Sequence, residues 1–511
     1  MSLQSIIRTR APHRLTTHSL APSPARPSVL SLPLEGCLLL LLTACGGGNS
    51  DESKVLVKEI RGEVIQAGHI ATELQGAWRV LGEGSLVEVQ GDSWVRYHQS
   101  PSFCLRERIS LGQQELTGLI FRSRSVGANT ATDLYLAEGA PSSMSLEKVA
   151  QIPPACKQAA PSDPASTFKA MWEFFDQDYA FFKERGIDWA KRRLALAPIA
   201  AAARNDDELQ AVLEEALEGF NDHHVSLIRF DAQGEVLHYS DSARTPTLLL
   251  LNQAFLAQNE VADLDSFSAQ WQQHLWTQAG LRLSERNGGD TAELLNGALQ
   301  WGKLPGNVGY IALSRLSEFA EGSNGHQDVA LIRAAMDRAL LALADTKAMI
   351  VDIAVNDGGY DLVSAEVASS FADQRRATFS TTARRPEGRA PREWFIAPKG
   401  AKPYLKPVYL LTSDRTVSAG DTLALMMRTL PHVTQVGQAT SGSMSDKLGK
   451  TLPGNFLVTL SHERSVDPQG VSYEVKGVPP KLALAVFDPK NPASLFSGHA
   501  AALDRVLAMI R

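Results

Sequence analysis

The chain has 511 residues, 44% of them hydrophobic, and a formal net charge of −6. This is enough apolar material for two or three domains with a sizeable core, and the mild acidic balance gives no electrostatic basis for nucleic-acid binding. The four cysteines form no Cys-x-x-Cys pair, so neither zinc nor dithiol redox chemistry is indicated, and no metal or other cofactor is implied.

Residues 1–45 read as an export signal. The apolar run Cys37–Cys45 is too short to cross a bilayer, which takes about 20 residues, but suits the apolar core of a secretory signal. The run ends Leu42-Thr43-Ala44-Cys45 and is followed by Gly46-Gly47-Gly48, which resembles a bacterial lipobox. The resemblance implies a diacylglyceryl group on Cys45, a flexible tether after it, and a lipid-anchored protein of the cell envelope, at the outer membrane facing periplasm or surface. The basic residues Arg8, Arg10, Arg14 and Arg26 lie well upstream of the apolar run and Glu35 lies close to it, so translation is expected to start downstream of Met1. An exported chain folds in an oxidising compartment, where Cys104 and Cys156 can pair. Nothing in the sequence sets their separation in space.

Residues 46–160 read as a β-rich domain, a small barrel or sandwich. Short apolar stretches such as Trp78–Leu81, Leu86–Val89, Trp94–Tyr97, Leu116–Phe121 and Leu134–Leu136 alternate with turn signals. No catalytic constellation shows there, and the domain reads as a binding or spacer module. Pro153-Pro154 and Pro161–Pro164 mark a linker. Residues 161–230 read as a helical segment leading into a strand. In it Phe168, Met171, Trp172, Phe175, Tyr179 and Phe182 recur at helical spacing, and Asn205 with Glu208 resembles a capping box. Residues 231–304 are a partly helical insertion, with helices near 261–281 and 291–300 and a Gly288-Gly289 break. From 305 to 490, strands at Val308–Leu313, Ala348–Ile353 and Pro407–Thr412 alternate with helices at Asp328–Ala344, Tyr360–Phe371 and Ser418–Leu430. This pattern indicates an α/β core with parallel strands, and residues 491–511 form a C-terminal helix. The fold class is therefore α+β and multidomain.

Ser418 follows a buried strand and a short loop and opens a helix. A hydroxyl in that position is a common N-cap, but it also faces free backbone N–H groups that can stabilise an oxyanion. Several blocks around it occur in a telling order: Trp172 through Tyr179-Ala-Phe-Phe182, then Gly186-Ile-Asp-Trp189, Phe220-Asn-Asp-His-His224 and Val351-Asp-Ile-Ala-Val-Asn-Asp-Gly-Gly359. Leu411 through Ser418-Ala-Gly-Asp421, Gly437 through Gly442, and Tyr473-Glu474-Val-Lys-Gly477-Val-Pro-Pro480 complete the set. From Phe168 to about Pro489 the chain resembles the S41 serine peptidases of the tricorn-core and C-terminal-processing type, whose catalytic core is ClpP/crotonase-like.

The resemblance implies peptide-bond hydrolysis of peptides or unfolded proteins, with Ser418 as nucleophile, His224 as general base, Glu474 as the carboxylate supporting it, and an oxyanion hole of Gly359 and Ala419. A Ser–His arrangement predicts activity rising through an ionisation at about pH 6–7.5. If His223 and His224 lie on a strand they face opposite ways, and the motif register selects His224. Members of the family with a Ser–Lys dyad carry a lysine where this chain has Ser443; Lys447 and Lys450 are out of register and read as solvated charges. Ala354, Lys481 and His223 depart from the family's usual arginine, aspartate and glycine. The alternative to an active enzyme is a peptide-binding lipoprotein that keeps the fold without catalysis.

Overall fold

The computed structural model describes residues 57–510 apart from 127–128, 259, 262, 284, 287–294 and 401. Cys45, the export segment and the Gly288-Gly289 break lie outside the described residues. The first domain is one eight-stranded antiparallel sheet, which resolves the barrel-or-sandwich alternative. Its strands are β1 (Val57–Glu63), β2 (Gly76–Val80), β3 (Ser85–Gln90), β4 (Ser93–Gln99), β5 (Cys104–Arg106), β6 (Ile120–Val126), β7 (Asn129–Tyr135) and β8 (Met144–Val149). Their spatial order is β1-β6-β7-β8-β2-β3-β4-β5. The expected strand at Leu116–Phe121 is half wrong. Gln113–Leu116 is a helical turn, Gly118 turns the chain at φ +82°, and the strand starts only at Ile120. On β4 the period of two sends Trp94, Arg96 and His98 to the inner face, while Val95 and Tyr97 join a separate cluster with Ile152 and Cys156. Cys104 and Cys156 are joined, with Cα atoms 4.6 Å apart across 52 residues of sequence.

Three helices follow: α1 (Pro164–Asp178), α2 (Trp189–Ala201) and α3 (Asp206–Leu217). Asp163 caps α1 by accepting from the N–H of Ser166, and Asn205 caps α3 by accepting from that of Glu208. The Glu208 carboxylate reaches back to the N–H of Arg204, one residue before the cap. The aromatic stripe closes on itself: Phe175, Tyr179, Phe182, Trp189 and Phe220 pack with ring centroids from 4.8 to 6.1 Å apart. That cluster sits against a four-stranded antiparallel sheet containing β9 (Ser226–Phe230) and β10 (Val236–Asp241).

The insertion holds α4 (Pro246–Leu256) and α5 (Leu264–Gly280). The helix expected near 291–300 is not there in its described part, because Leu299–Leu304 is strand β11, hairpinned to β12 (Val308–Leu313). Next come α6 (Gly325–Ala342), β13 (Ala348–Asp352), α7 (Asp361–Ser369), β14 (Arg376–Ala383), β15 (Arg392–Ile396) and β16 (Val408–Thr412). The chain continues through α8 (Ala419–Arg428), β17 (Val433–Gly437), β18 (Lys447–Thr451), β19 (Phe456–Ser461), β20 (Glu463–Val466), β21 (Leu482–Ala483) and α9 (Ser494–Met509). Strands β12, β13, β16, β17 and β21 run parallel in that order and make up five strands of a seven-stranded sheet, with β21 at one edge. The central strands β12 and β13 are buried on both faces, as a parallel sheet covered by helices requires. Helix α9 is locked on by Trp271, whose indole donates to the Leu495 carbonyl at 2.7 Å, and by His499, 2.8 Å from Asp352. Among the described residues no helix is long and apolar enough to cross a membrane.

Candidate active site

Ser418 leaves the C-terminal end of β16 through a tight loop and sits at the N-terminus of α8. Its backbone is in an unusual region, φ 57° and ψ −117°, which costs energy for a residue with a Cβ and persists only where the surroundings enforce it. They do so here through Asp421. Its carboxylate accepts the N–H groups of Ser418 at 2.8 Å, Gly442 at 2.8 Å and Ser443 at 3.2 Å, and burial pushes it up to about 6. The loop is tied to the end of β13: the Ser413 and Thr416 hydroxyls donate to the carbonyls of Ala354 and Ile353.

The Gly358-Gly359 turn packs directly on the serine. A Cβ on Gly358 would lie 2.8 Å from the Ser418 Cβ, and one on Gly359 would lie 2.3 Å from the Leu316 carbonyl. Both positions also have positive φ, +81° and +147°, so side chains are excluded twice over. Leu316 bonds to the residues on either side of Gly359, donating to the Gly358 carbonyl and accepting from the Tyr360 N–H. A bridge of that pattern turns Gly359's own N–H away from Leu316. The Ala419 N–H is in the first position of α8, where helices have no internal acceptor.

His224 lies in a turn before β9, not on a strand, so the alternation expected for His223 and His224 does not apply. His224 nonetheless lines one cavity of about 210 Å³ together with Ser418 and Gly359; His223 does not line it. His224 is 3% exposed and its Nδ1 is buried without a partner among the described residues. Burial outweighs the nearby Asp222 charge and lowers the imidazole to about 4, so it is neutral at pH 7. No hydrogen bond joins Ser418 Oγ, His224 and Glu474 among the described residues, a looseness that unliganded sites often show.

Glu474 is placed differently from its expected role. One carboxylate oxygen is 3.2 Å from Arg185 Nη2, and the other accepts the N–H groups of Met444 at 2.8 Å and Ser445 at 3.2 Å. Arg185 in turn is 3.3 Å from Asp222, whose other oxygen accepts the His224 N–H at 2.9 Å and the Ser461 hydroxyl at 3.1 Å. The path from Glu474 to His224 therefore runs through one buried guanidinium and a second carboxylate, and it ends on the backbone N–H of His224, not on the imidazole. With one cation between two acids, burial and the Asp222 charge push Glu474 up to about 8, while Asp222 stays below its ordinary value, helped by Arg185 and His224.

The sequence reading missed Asp222, Arg185 and Asp421 as site residues. The first and last stand inside the quoted motifs, but Arg185 carried no signal, since its partners are 37 and 289 residues away. Ser443, in the dyad-lysine register, is buried and donates its N–H to Asp421. Lys450 is not a solvated charge: it is fully buried, 3.1 Å from Asp178, and donates to the Glu83 carbonyl. Lys447 is half-buried and lines the cavity. Among the described residues no group of three or more His, Cys, Asp or Glu side chains could hold a metal ion.

A strained serine at a helix N-terminus, against a diglycine turn and sharing a cavity with a neutral histidine, is an arrangement suited to serine-hydrolase chemistry. Residues 307–484 match the model of Peptidase family S41, and residues 161–218 match that of the Tricorn protease C1 domain. Residues 307–484 therefore form a serine peptidase core of the S41 type. Among solved structures, a candidate peptidase from Parabacteroides merdae ATCC 43184 aligns over 68% of this chain and 97% of its own at 20% identity, TM-score 0.49. A lipoprotein from Streptococcus agalactiae aligns over 68% and 99% at 14% identity, TM-score 0.41. The tricorn protease aligns over 84% of this chain and 45% of its own at 12% identity, TM-score 0.38.

Proposed function

We propose that the protein hydrolyses peptide bonds through an acyl-enzyme on Ser418. Ser418 Oγ attacks the scissile carbonyl as its proton passes to His224, and the Gly359 and Ala419 N–H groups receive the oxyanion. The imidazolium then protonates the leaving amine, and water, deprotonated by the same imidazole, releases the acyl group. Glu474, Arg185 and Asp222 act as positioning residues, fixing the backbone from which His224 projects. The observation that carries this reading is the enforced backbone of Ser418 in contact with the Gly358-Gly359 turn, because a helix cap alone needs neither. A fluorophosphonate probe tests it. The native protein should label and Ser418→Ala should not; absence of label on correctly folded native protein would favour the peptide-binding alternative.

The same proposal places the enzyme in the bacterial cell envelope, lipid-anchored through Cys45 and probing peptides or unfolded protein. The support is the Leu42–Cys45 sequence with its glycine tether. Growth with labelled palmitate should tag the protein, and Cys45→Ala should lose both the tag and membrane association. Equal labelling of the variant would sink the anchor.

A further inference from the structure

The cavity that holds Ser418 and His224 is walled largely by the N-terminal sheet, a domain with no catalytic group of its own. Trp94, Ile109, Leu111, Leu119, Leu134 and Met144 line it, and several of them belong to the inner hydrophobic face of that sheet. From the core side Tyr360, Leu362 and Trp394 complete an apolar lining beside the nucleophile. Two cations on the wall are paired, Arg96 at 3.1 Å from Glu83 and Arg392 at 2.9 Å from Asp446, while burial keeps His98, 3.8 Å from Glu107, neutral. Asp361 and Lys447 also line the cavity, so it is the apolar lining next to Ser418 that bears on selection.

The domain is held in place, not merely tethered. Glu173 on α1 accepts hydrogen bonds from Ser100 and Ser102, Asn324 donates to the carbonyls of Gln114 and Thr117, and Lys450 donates to the Glu83 carbonyl. Two indoles on the cavity wall are buried with Nε1 lacking any partner among the described residues: Trp94, 3% exposed, and Trp394, 8% exposed. Trp394 is held by stacking on Phe379, centroids 5.5 Å apart and planes 17° from parallel. Buried donors are rarely left unmade without a reason, and an acceptor on a bound ligand is one.

We propose that the N-terminal sheet forms the specificity wall of the catalytic cleft. It selects a large apolar side chain on the residue whose carbonyl Ser418 attacks, with the Trp94 and Trp394 N–H groups available to that peptide's carbonyl oxygens. The inference rests on the assignment of Ser418 as nucleophile. A volume of about 210 Å³ is below the 300–1,000 Å³ typical of pockets for drug-sized ligands and suits one side chain with its flanking backbone.

The test is kcat/KM on peptidyl aminocoumarins differing only in the residue next to the cleaved bond, with fluorophosphonate labelling run in parallel. Leu, Met or Phe should exceed Ala by about 100-fold, and Asp or Lys should be cleaved poorly, since a methylene or two in an apolar pocket is worth about 10- to 200-fold. Ala140→Phe, which fills the cavity from a half-buried loop position, should lower the Phe/Ala ratio about tenfold or more while labelling stays at the native level. Met144→Ala should shift preference towards the largest side chain, and Trp394→Phe should lower kcat/KM severalfold for every substrate. Native protein that labels but shows no apolar preference, or an Ala140→Phe ratio equal to the native one, overturns the wall. Native protein that neither labels nor cleaves overturns the nucleophile assignment instead.

Discussion

The N-terminal sheet and the α/β core share one cavity but are built on opposite terms. In the core, the groups proposed for chemistry stand where strands or turns end: Ser418 after β16, Gly359 after β13, His224 before β9. Each is held by short-range devices: a strained φ and the Asp421 cap at Ser418, the diglycine turn at Gly359, and Asp222 on the His224 N–H. In the sheet, what faces the cavity is an alternation of ordinary side chains, Trp94, Arg96 and His98 on one phase of a strand. Chemistry needs particular atoms at particular positions and leaves motifs behind. A wall needs only shape and polarity, which many sequences satisfy.

The largest effects should come from the core and should fall on every substrate alike. Ser418→Ala and His224→Ala are each expected to lower kcat by about 10³-fold or more, and the double variant should be little worse than either, because a base without its nucleophile has nothing to activate. His223→Ala, Lys447→Ala and Lys450→Ala should keep the mechanism. An inactive Lys447 or Lys450 variant beside an active His224 variant, on one substrate, would replace the triad-like reading by a Ser–Lys one. The buried acid cluster is the next most sensitive element. Arg185 is 4% exposed and sits between Asp222 and Glu474. Arg185→Met should cost about 3–5 kcal/mol, since removing one partner leaves buried carboxylates uncompensated. Urea unfolding would read this as a lower midpoint, and an unchanged midpoint would show the cluster to be hydrated.

The same contrast governs how much could be read from sequence. The parallel strands of the core were legible because each is a continuous apolar run bounded by turn signals, and Ser418, His224 and the glycines were legible because they stand in ordered motifs. Leu299–Leu304 was not, since a short apolar stretch beside a glycine-rich break has no decisive period. Arg185 and the true environment of Glu474 were invisible because they depend on which distant segments meet around one guanidinium. The burial of Lys450 was likewise hidden: its counter-charge Asp178 lies on α1, and a lysine on a strand carries no mark of the element that will cover it. The sheet was legible as strands yet not as part of the site, because nothing in alternating residues says what the inner face will close over.

A smaller effect separates the two regions by stability. The Cys104–Cys156 bond closes 52 residues of the N-terminal sheet, joining β5 to the segment after β8. Cys104→Ser with Cys156→Ser should lower stability by about 2–4 kcal/mol, through the loop entropy returned to the unfolded chain. Fluorophosphonate labelling should persist at temperatures where the sheet has already come away from the core, so that apolar substrate preference weakens first on heating. Loss of labelling in step with loss of preference would mean that sheet and core unfold as one unit.

The smallest expected change is a displacement in pH, and it separates a motif reading from a structural one. A solvated histidine base would give kcat/KM rising at about pH 6–7.5. Burial lowers His224 to about 4 and thereby keeps it neutral well below that range, with the Asp222 charge opposing the shift. The acid limb should therefore lie near pH 4–5. The sign is fixed by linkage: a histidine whose folded value lies below its unfolded one binds its proton first in the unfolded chain. Its contribution to stability is therefore lost as pH falls from about 6.5 to about 4 and changes no further below that. Activity measured near pH 5 must accordingly be checked against unfolding, by confirming that fluorophosphonate-accessible protein recovers fully on return to pH 7. Asp222→Asn removes the one nearby charge that most favours the imidazolium, so its limb should move to still lower pH in protein that remains folded. A native limb at about pH 6.5 would show that water reaches the imidazole. An Asp222→Asn limb that moves upward would show that the carboxylate acts on His224 through placement of its backbone and not through charge.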